Sequence, residues 1–440
     1  MSEGGSEGGS EGIGVDVRRH DLDWLRIAAF ALLIGYHVGM LYVPWAFHVK
    51  SAHRGGPWLT GLMLALNPWR LSLLFVISGA ATAFMVARLG GGESGSGRGF
   101  GKGRGALARE RTRRLLIPLL FGMLVVVVPQ VYFEVVERSG YTGSLLQFWG
   151  RYLSLDQSFG TPIPTWNHLW FVAYLLVFTL IVLALAPRAR LPLSPPVSPR
   201  AGVGEAAPVG SLRRPSGAAL AMLLIGPWFA LWALRTTLFP RFGSNHAMVA
   251  DWYNHAQYFG MFLFGYVIAR RPVLWLAIDR LRWPALGLAM AGGVVFIGLS
   301  LGAGDALATG EWQRWAGRAG REALAWGAVL AALGFAQRHL NHDRGWRAYL
   351  VEVIFAYYIV HQTALIALAV WLKPLQLGGA MEAALVVGGT VITCVVTAEV
   401  ARRVRWLRPL FGFRALAAKL SPPSPPTTSP PAPTSSSRPR

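Results

Sequence analysis

The chain has 440 residues, of which 53% are hydrophobic and only 14% charged; an ordinary soluble protein is about a quarter charged, so too few charges exist to wet a large surface. A soluble multidomain protein, a coiled coil, a small secreted domain and a disordered regulator are thereby excluded. The charges that remain are lopsided, 42 Lys and Arg against 21 Asp and Glu for a net of +21, and in so apolar a chain that excess belongs against anionic membrane lipids rather than nucleic acid.

Taken in chain order, the sequence opens on a Ser-Glu-Gly-Gly repeat, and residues 1–17 are expected to form a disordered tail. Ten stretches free of Asp, Glu, Lys and Arg follow: Ile27–Val49, Leu71–Ala87, Leu115–Phe133, Leu169–Pro187, Pro215–Leu234, Trp252–Ala269, Trp283–Ala303, Ala323–Gln337, Val353–Leu372 and Ala383–Ala398. Most reach the roughly 17–20 residues a helix needs to cross a bilayer. The first is too long for a signal peptide, and Val43-Pro44-Trp45 lacks a small-residue cleavage pattern. The second is expected to start near Leu59 and bend at Pro68. Ala323–Gln337 is short and must borrow flanking residues. Residues 18–410 therefore read as one membrane domain, interrupted by a flexible Gly/Arg insert at 90–105 and a Pro-rich cytoplasmic loop at 188–214. A disordered Pro/Ser/Thr-rich cytoplasmic tail is expected over 411–440.

Orientation follows from the loops. With the N-terminus cytoplasmic, 30 Lys and Arg fall in inside segments and 9 in outside loops. The expected fold is all-α and integral to a cell (inner or plasma) membrane, with about ten transmembrane helices and both termini cytoplasmic. Every acidic residue reads as lying in a loop or at the end of a span. No segment can hold a soluble catalytic domain, so any chemistry must occur in or at the membrane.

An ionisable side chain at bilayer depth is a functional candidate by default. His37 lies 11 residues after Arg26 and His361 lies 12 after Tyr349, so each is expected roughly 16–18 Å into its helix, near the midplane. Eleven steps of about 100° put Arg26 and His37 on one helix stripe, with Asp23 placed to pair with Arg26 three residues on. A cation at the cytoplasmic mouth below a titratable imidazole suits an anionic substrate entering from the cytoplasm. Arg111 and Arg114 share a helix face before the third span, where guanidiniums can bind phosphate by paired hydrogen bonds or simply anchor the span. Ser78-Gly79 is a small-residue packing site. Trp166 and His168 sit at the outer interface, where they could belong to an aromatic belt or line an acceptor site. Tyr358 and His361 make a polar aromatic patch in the ninth run. The lone cysteine, Cys394, excludes a disulfide framework and any Cys-based metal site, and no metal is expected.

These motifs resemble the acyltransferase 3 family of integral membrane proteins. Asp23-Trp24-Leu25-Arg26 with His37 is similar to the family's Arg-or-Lys, ten residues, His signature, and Phe75 to Gly79 to its second-helix Ser-Gly segment. Arg111-Thr112-Arg113-Arg114 resembles its Arg-x-x-Arg motif. His168-Leu169-Trp170-Phe171 and Tyr357 to Gln362 are similar to later landmarks, especially in the branch of glucan biosynthesis protein C. The resemblance implies transfer of an acyl group, acetyl or succinyl, from cytoplasmic acyl-CoA as co-substrate to a hydroxyl of an extracytoplasmic glycan or lipid-linked sugar. No cofactor is expected to be bound permanently. His37 is then the catalytic imidazole, Arg26, Arg111 and Arg114 bind the donor, Asp23 and Ser78 support them, and Trp166, His168, Tyr358 and His361 face the acceptor. The rival readings are a transporter or flippase of a lipid or sugar, against which the lack of carboxylates within the spans argues, and a haem- or quinone-binding protein using His37 and His361.

Overall fold

The first apolar run does not become one helix. In the computed structural model, which describes residues 19–87, 103–185, 214–302 and 310–414, α1 covers His20–Gly39 and stops there. Residues 40–56 then double back. The Lys50 ammonium ties off this turn by donating to the carbonyls of Met40 (2.6 Å), Val43 and Trp45 (3.0 Å). A cation placed on carbonyls that a helix C-terminus leaves unpaired is favourable, so the residue that closes the apolar run also sets where its helix ends.

The second run breaks as its proline predicts, into α2 (Pro57–Leu66) and α3 (Arg70–Ala87). Next come α4 (Arg104–Phe121), a π-helical turn at Gly122–Val126, and α5 (Val128–Ser139). A short α6 (Leu145–Leu153) starts at a Ser144/Gln147 capping box. Then follow α7 (Trp170–Leu185), α8 (Gly217–Thr237), the single turn α9 (Phe239–Phe242), α10 (Trp252–Ile268), α11 (Pro272–Gly302), α12 (Glu311–His339), α13 (Gly345–Leu372) and α14 (Gly379–Arg403). Among the described residues there is no strand. The all-α membrane architecture is as expected, and each of the ten apolar runs overlaps a helix. Eight helical segments are long and apolar enough to cross a membrane; α10 and α12 are not among them. The tail 1–17, most of the insert 90–105 and nearly all of the loop 188–214 lie outside the described residues. Within the stretch assigned to the C-terminal tail, Phe411 and Phe413 are buried against the main core, so the folded region runs past 410.

The helices sort into an interior and a rim. The apolar windows of α3, α7 and α13 are 67% buried, whereas that of α8 is 6% buried. Phe229, Met290 and Ile392 on α8, α11 and α14 point outward, as lipid-facing surfaces require. Inside, α3 crosses α10 at backbone contact: a Cβ on Gly79 would sit 1.9 Å from the Phe262 carbonyl oxygen, and one on Gly265 1.9 Å from that of Val76. Gly79 thus does the packing expected of the Ser-Gly pair, while the neighbouring Ser78 carbonyl accepts from the Thr82 hydroxyl at 2.8 Å.

Two helices far apart in sequence run parallel in fixed register. Asp23 on α1 is bonded by Arg347 on α13, and fourteen residues further along each helix His37 meets His361. Fourteen residues of helix span about 21 Å, so α1 and α13 are pinned at two levels.

Candidate active site

Three histidines from three separate segments converge: His37 in the last turn of α1, His361 in the middle of α13, and His168 in the single 3-10 turn Asn167–Leu169 that leads into α7. His37 Nδ1 lies 2.8 Å from His361 Nε2. Ring centroids are 5.0 Å apart for His37–His361, 5.1 Å for His168–His361 and 6.5 Å for His37–His168. Phe47, from the turn that Lys50 ties off, stacks on the other side of His37 at 6.4 Å.

The hydrogen-bond network assigns the protons. His361 Nδ1 lies 2.7 Å from the Tyr358 carbonyl, which can only accept, so Nδ1 carries the hydrogen and Nε2 is bare. His361 Nε2 therefore accepts from His37 Nδ1–H, and the lone pair of His37 falls on Nε2. His168 Nε2–H donates to the carbonyls of Tyr358 (3.2 Å) and Ile359 (3.1 Å), while its Nδ1 accepts from the Gln130 amide at 3.4 Å. Gln130 is a hub: it also donates to the Thr363 hydroxyl (2.7 Å) and accepts from Asn167 (3.1 Å) and Gln362 (3.0 Å). Thr363 in turn donates to the Val126 carbonyl at 2.6 Å, in the π-helical turn that brings α5 against α13. A buried network with its partners in place holds its members rigidly.

The structure thus moves several residues from where the sequence put them. His361, expected on the acceptor side, is the direct hydrogen-bond partner of His37. His37 is not halfway along its helix but in its last turn, because α1 ends at Gly39. Tyr358 lines the cavity beside His37, but its hydroxyl is spent on the His168 carbonyl. Trp166 donates from Nε1 to the His246 carbonyl at 2.9 Å, fastening the loop before α10. Asp23 makes an ion pair with Arg347, which also binds Asp343 at 2.8 Å.

Arg26 on α1 and Arg111 and Arg114 on α4 lie within electrostatic reach of one another. Their charges act on one another, and the buried Arg111 Nε has no protein partner among the described residues. Arg114 Nε reaches the Gly412 carbonyl at 3.5 Å. Arg26 lies about 16 Å below His37 along α1.

Sequence reasoning missed a second polar region. Arg321 and Glu322 read as an outside loop, but α12 extends the apolar run Ala323–Gln337 back to Glu311 and carries both into the protein. Glu322 is fully buried, bonded by Arg321 and 3.7 Å from Arg235. Glu322 thus lies inside α12, at the start of the apolar run Ala323–Gln337, rather than in a loop: two guanidiniums supply the counter-charge that makes the burial tolerable. Arg235 also donates to the Tyr253 hydroxyl at 2.8 Å. Gln130 was missed as well, although it and Gln362 are the single amides in their apolar runs, and a lone amide in such a run is a signal that could have been followed.

His37, Arg70, Arg235, Arg321 and Tyr258 line one cavity of about 140 Å³. Among the described residues no three or more His, Cys, Asp or Glu are grouped to hold a metal ion.

A polytopic helical protein whose buried polar side chains converge on a hydrogen-bonded histidine at an internal cavity has the anatomy of a membrane-embedded enzyme. Residues 19–399 match the model of a family described as an acyltransferase domain, acyltransferase 3. The chain belongs to this family of multi-pass membrane acyltransferases, which transfer groups other than amino-acyl groups. No curated protein and no solved structure matches it.

Proposed function

We propose that the protein moves an acetyl or succinyl group from cytoplasmic acyl-CoA to a hydroxyl of an extracytoplasmic glycan or lipid-linked sugar, in a cell (inner or plasma) membrane, with His37 as general base. The observation that carries this reading is the His37–His361 hydrogen bond, which leaves the His37 lone pair on Nε2 in a residue that lines the cavity. His37 Nε2 takes the acceptor's hydroxyl proton as its oxygen attacks the thioester carbonyl. The tetrahedral adduct collapses, the C–S bond breaks, and the thiolate leaves with the proton returned by His37. The imidazolium formed in between donates from Nδ1 to His361, which favours it. A positioned general base contributes about 10²–10⁴-fold. The donor's phosphates bind at Arg26, Arg111 and Arg114, and the roughly 16 Å from there to His37 is a gap that an extended phosphopantetheine arm spans. His168 and Trp166 lie on the acceptor's side of the imidazole.

The test is transfer of labelled acyl groups from acyl-CoA to native membranes by purified protein. His37→Ala is expected to abolish transfer while leaving the protein folded, and surface glycans from cells carrying it should lack one acyl mass. Wild-type rates from His37→Ala, or substrate movement without acyl-CoA turnover, refute the assignment.

A further inference from the structure

The donor cations lie on one side of His37. On the other side is the cavity shared by His37 with Arg70, Arg235 and Arg321, built where α1 ends, α3 begins and the loop before α10 folds over. It has three arginines in its lining and no carboxylate. Glu322 is set behind Arg235 and Arg321, and Asp251 behind Asn254, bonded by Asn254 (2.9 Å) and the Tyr174 hydroxyl (2.5 Å). Neither reaches Arg70. Arg70 is 7% exposed; its guanidinium lies 3.4 Å over the Tyr36 ring, interacts with the neutral Tyr36 side chain and donates to the Asn67 backbone and side-chain oxygens, at 3.0 and 3.1 Å. Its Nε has no partner among the described residues. Burying a cation without a counter-ion is costly, and a built cavity around it is what an anionic ligand would repay. The volume exceeds the roughly 30 Å³ of a water several-fold, enough for a carboxylate or phosphate with a short stem.

We propose that this chamber is a second anion site, which takes a carboxylate or phosphate carried by a substrate while that substrate's reacting atom lies at His37. Its catalytic meaning rests on the acyl-transfer reading of His37; its occupancy does not. Two sources fit the chemistry. The anion is either the free carboxylate of a dicarboxylic acyl group, such as succinyl, or a phosphate on the acceptor. Either would fix the orientation of the reacting group by a contact remote from the bond that changes.

The test is calorimetric titration of the full chain in detergent with succinate, with inorganic phosphate and with neutral succinamide. Succinate or phosphate should bind and succinamide should not. Arg70→Gln should weaken the bound anion about tenfold or more, as loss of a charged hydrogen bond predicts, whereas Arg403→Gln, at the exposed end of α14, should not. Arg70→Lys keeps the charge without the fork and is expected to fall between; with the wild-type contrast between charged and neutral ligands it decides the matter if Arg70→Gln does not fold. Equal binding of succinate, phosphate and succinamide, or anion binding that Arg70→Gln leaves unchanged, overturns the proposal. The source follows from turnover. A fall in the ratio of succinyl-CoA to acetyl-CoA use on changing Arg70 assigns the site to the acyl carboxylate, and an unchanged ratio with Arg70-dependent phosphate binding assigns it to a phosphorylated acceptor. Anion binding without thioester cleavage from any donor would fault the acyl-transfer reading alone.

Discussion

His361→Phe isolates what the histidine pair contributes. His361 is fully buried and its Nε2 accepts from His37 Nδ1–H at 2.8 Å. A phenyl ring fills most of the same space but accepts nothing. The Tyr358 carbonyl is not orphaned, because His168 Nε2 still donates to it at 3.2 Å; the loss falls on His37 Nδ1–H. A buried donor left unpaired costs about 1–3 kcal/mol, and His37 can escape that cost by turning its ring or shifting its proton to Nε2, each of which removes the lone pair from the cavity. The kcat for acyl transfer should therefore fall about 5- to 150-fold. The KM for acyl-CoA should stay near wild type, since the cations proposed to hold the donor are about 16 Å away. His361→Gln, whose amide oxygen can accept at the same place, should recover part of the loss. The assay is labelled acyl transfer to native membranes over a range of acyl-CoA concentrations, with thermal unfolding to verify folding. An unchanged kcat, or a rise in KM alone, would refute the positioning role, as would a Gln variant no better than Phe.

Arg111→Gln should raise the KM for acyl-CoA about tenfold or more with little change in kcat, because it removes a charge assigned to substrate binding and not to chemistry; a pure kcat effect would speak against a donor site there. Gly79→Val should leave little folded protein in detergent, since its Cβ would collide with the Phe262 backbone at 1.9 Å and overpacking against backbone cannot relax by rotamer changes. A near-wild-type unfolding temperature would show that α3 and α10 separate more freely than their contact implies. Burial pushes His246, in the loop before α10, down to about 4, against roughly 6.5 for an unfolded histidine. Between those values the unfolded chain binds a proton that the folded one does not, so this contribution is present above about 6.5 and is lost as pH falls towards 4. His246→Gln should flatten the acid side of a plot of unfolding temperature against pH, and an unaltered profile would remove His246 as a cause.

Much of the architecture was legible because hydropathy is a local and additive property. Apolar runs had to become helices in a bilayer, where every backbone group must be satisfied within its own segment. Pro68 had to interrupt the second of them. Arg26, Arg111 and Arg114 stood out by spacing, and their charges act on one another in the fold. The boundaries were less legible where one side chain reaches across a turn: Lys50 caps carbonyls up to ten residues back, so the helix ends inside a run that composition alone would continue. Charged residues misled for a similar reason. Arg321 and Glu322 look like a loop when each is counted as a cost, but together with Arg235 they largely offset one another's burial.

By itself the sequence determined a polytopic α-helical membrane protein with a histidine above a cation in its first helix, since periodicity and composition suffice for that. Only the tertiary structure decided that His37 shares its proton with His361, 324 residues away, that His168 and Gln130 brace the pair, and that Arg70 is buried beside the same cavity without a carboxylate. Nothing local distinguishes a partner from a bystander at such separations. The register of α1 against α13, locked by Asp23 and Arg347, brings the two imidazoles to the same level, and that level is a property of packed helices, not of either segment alone.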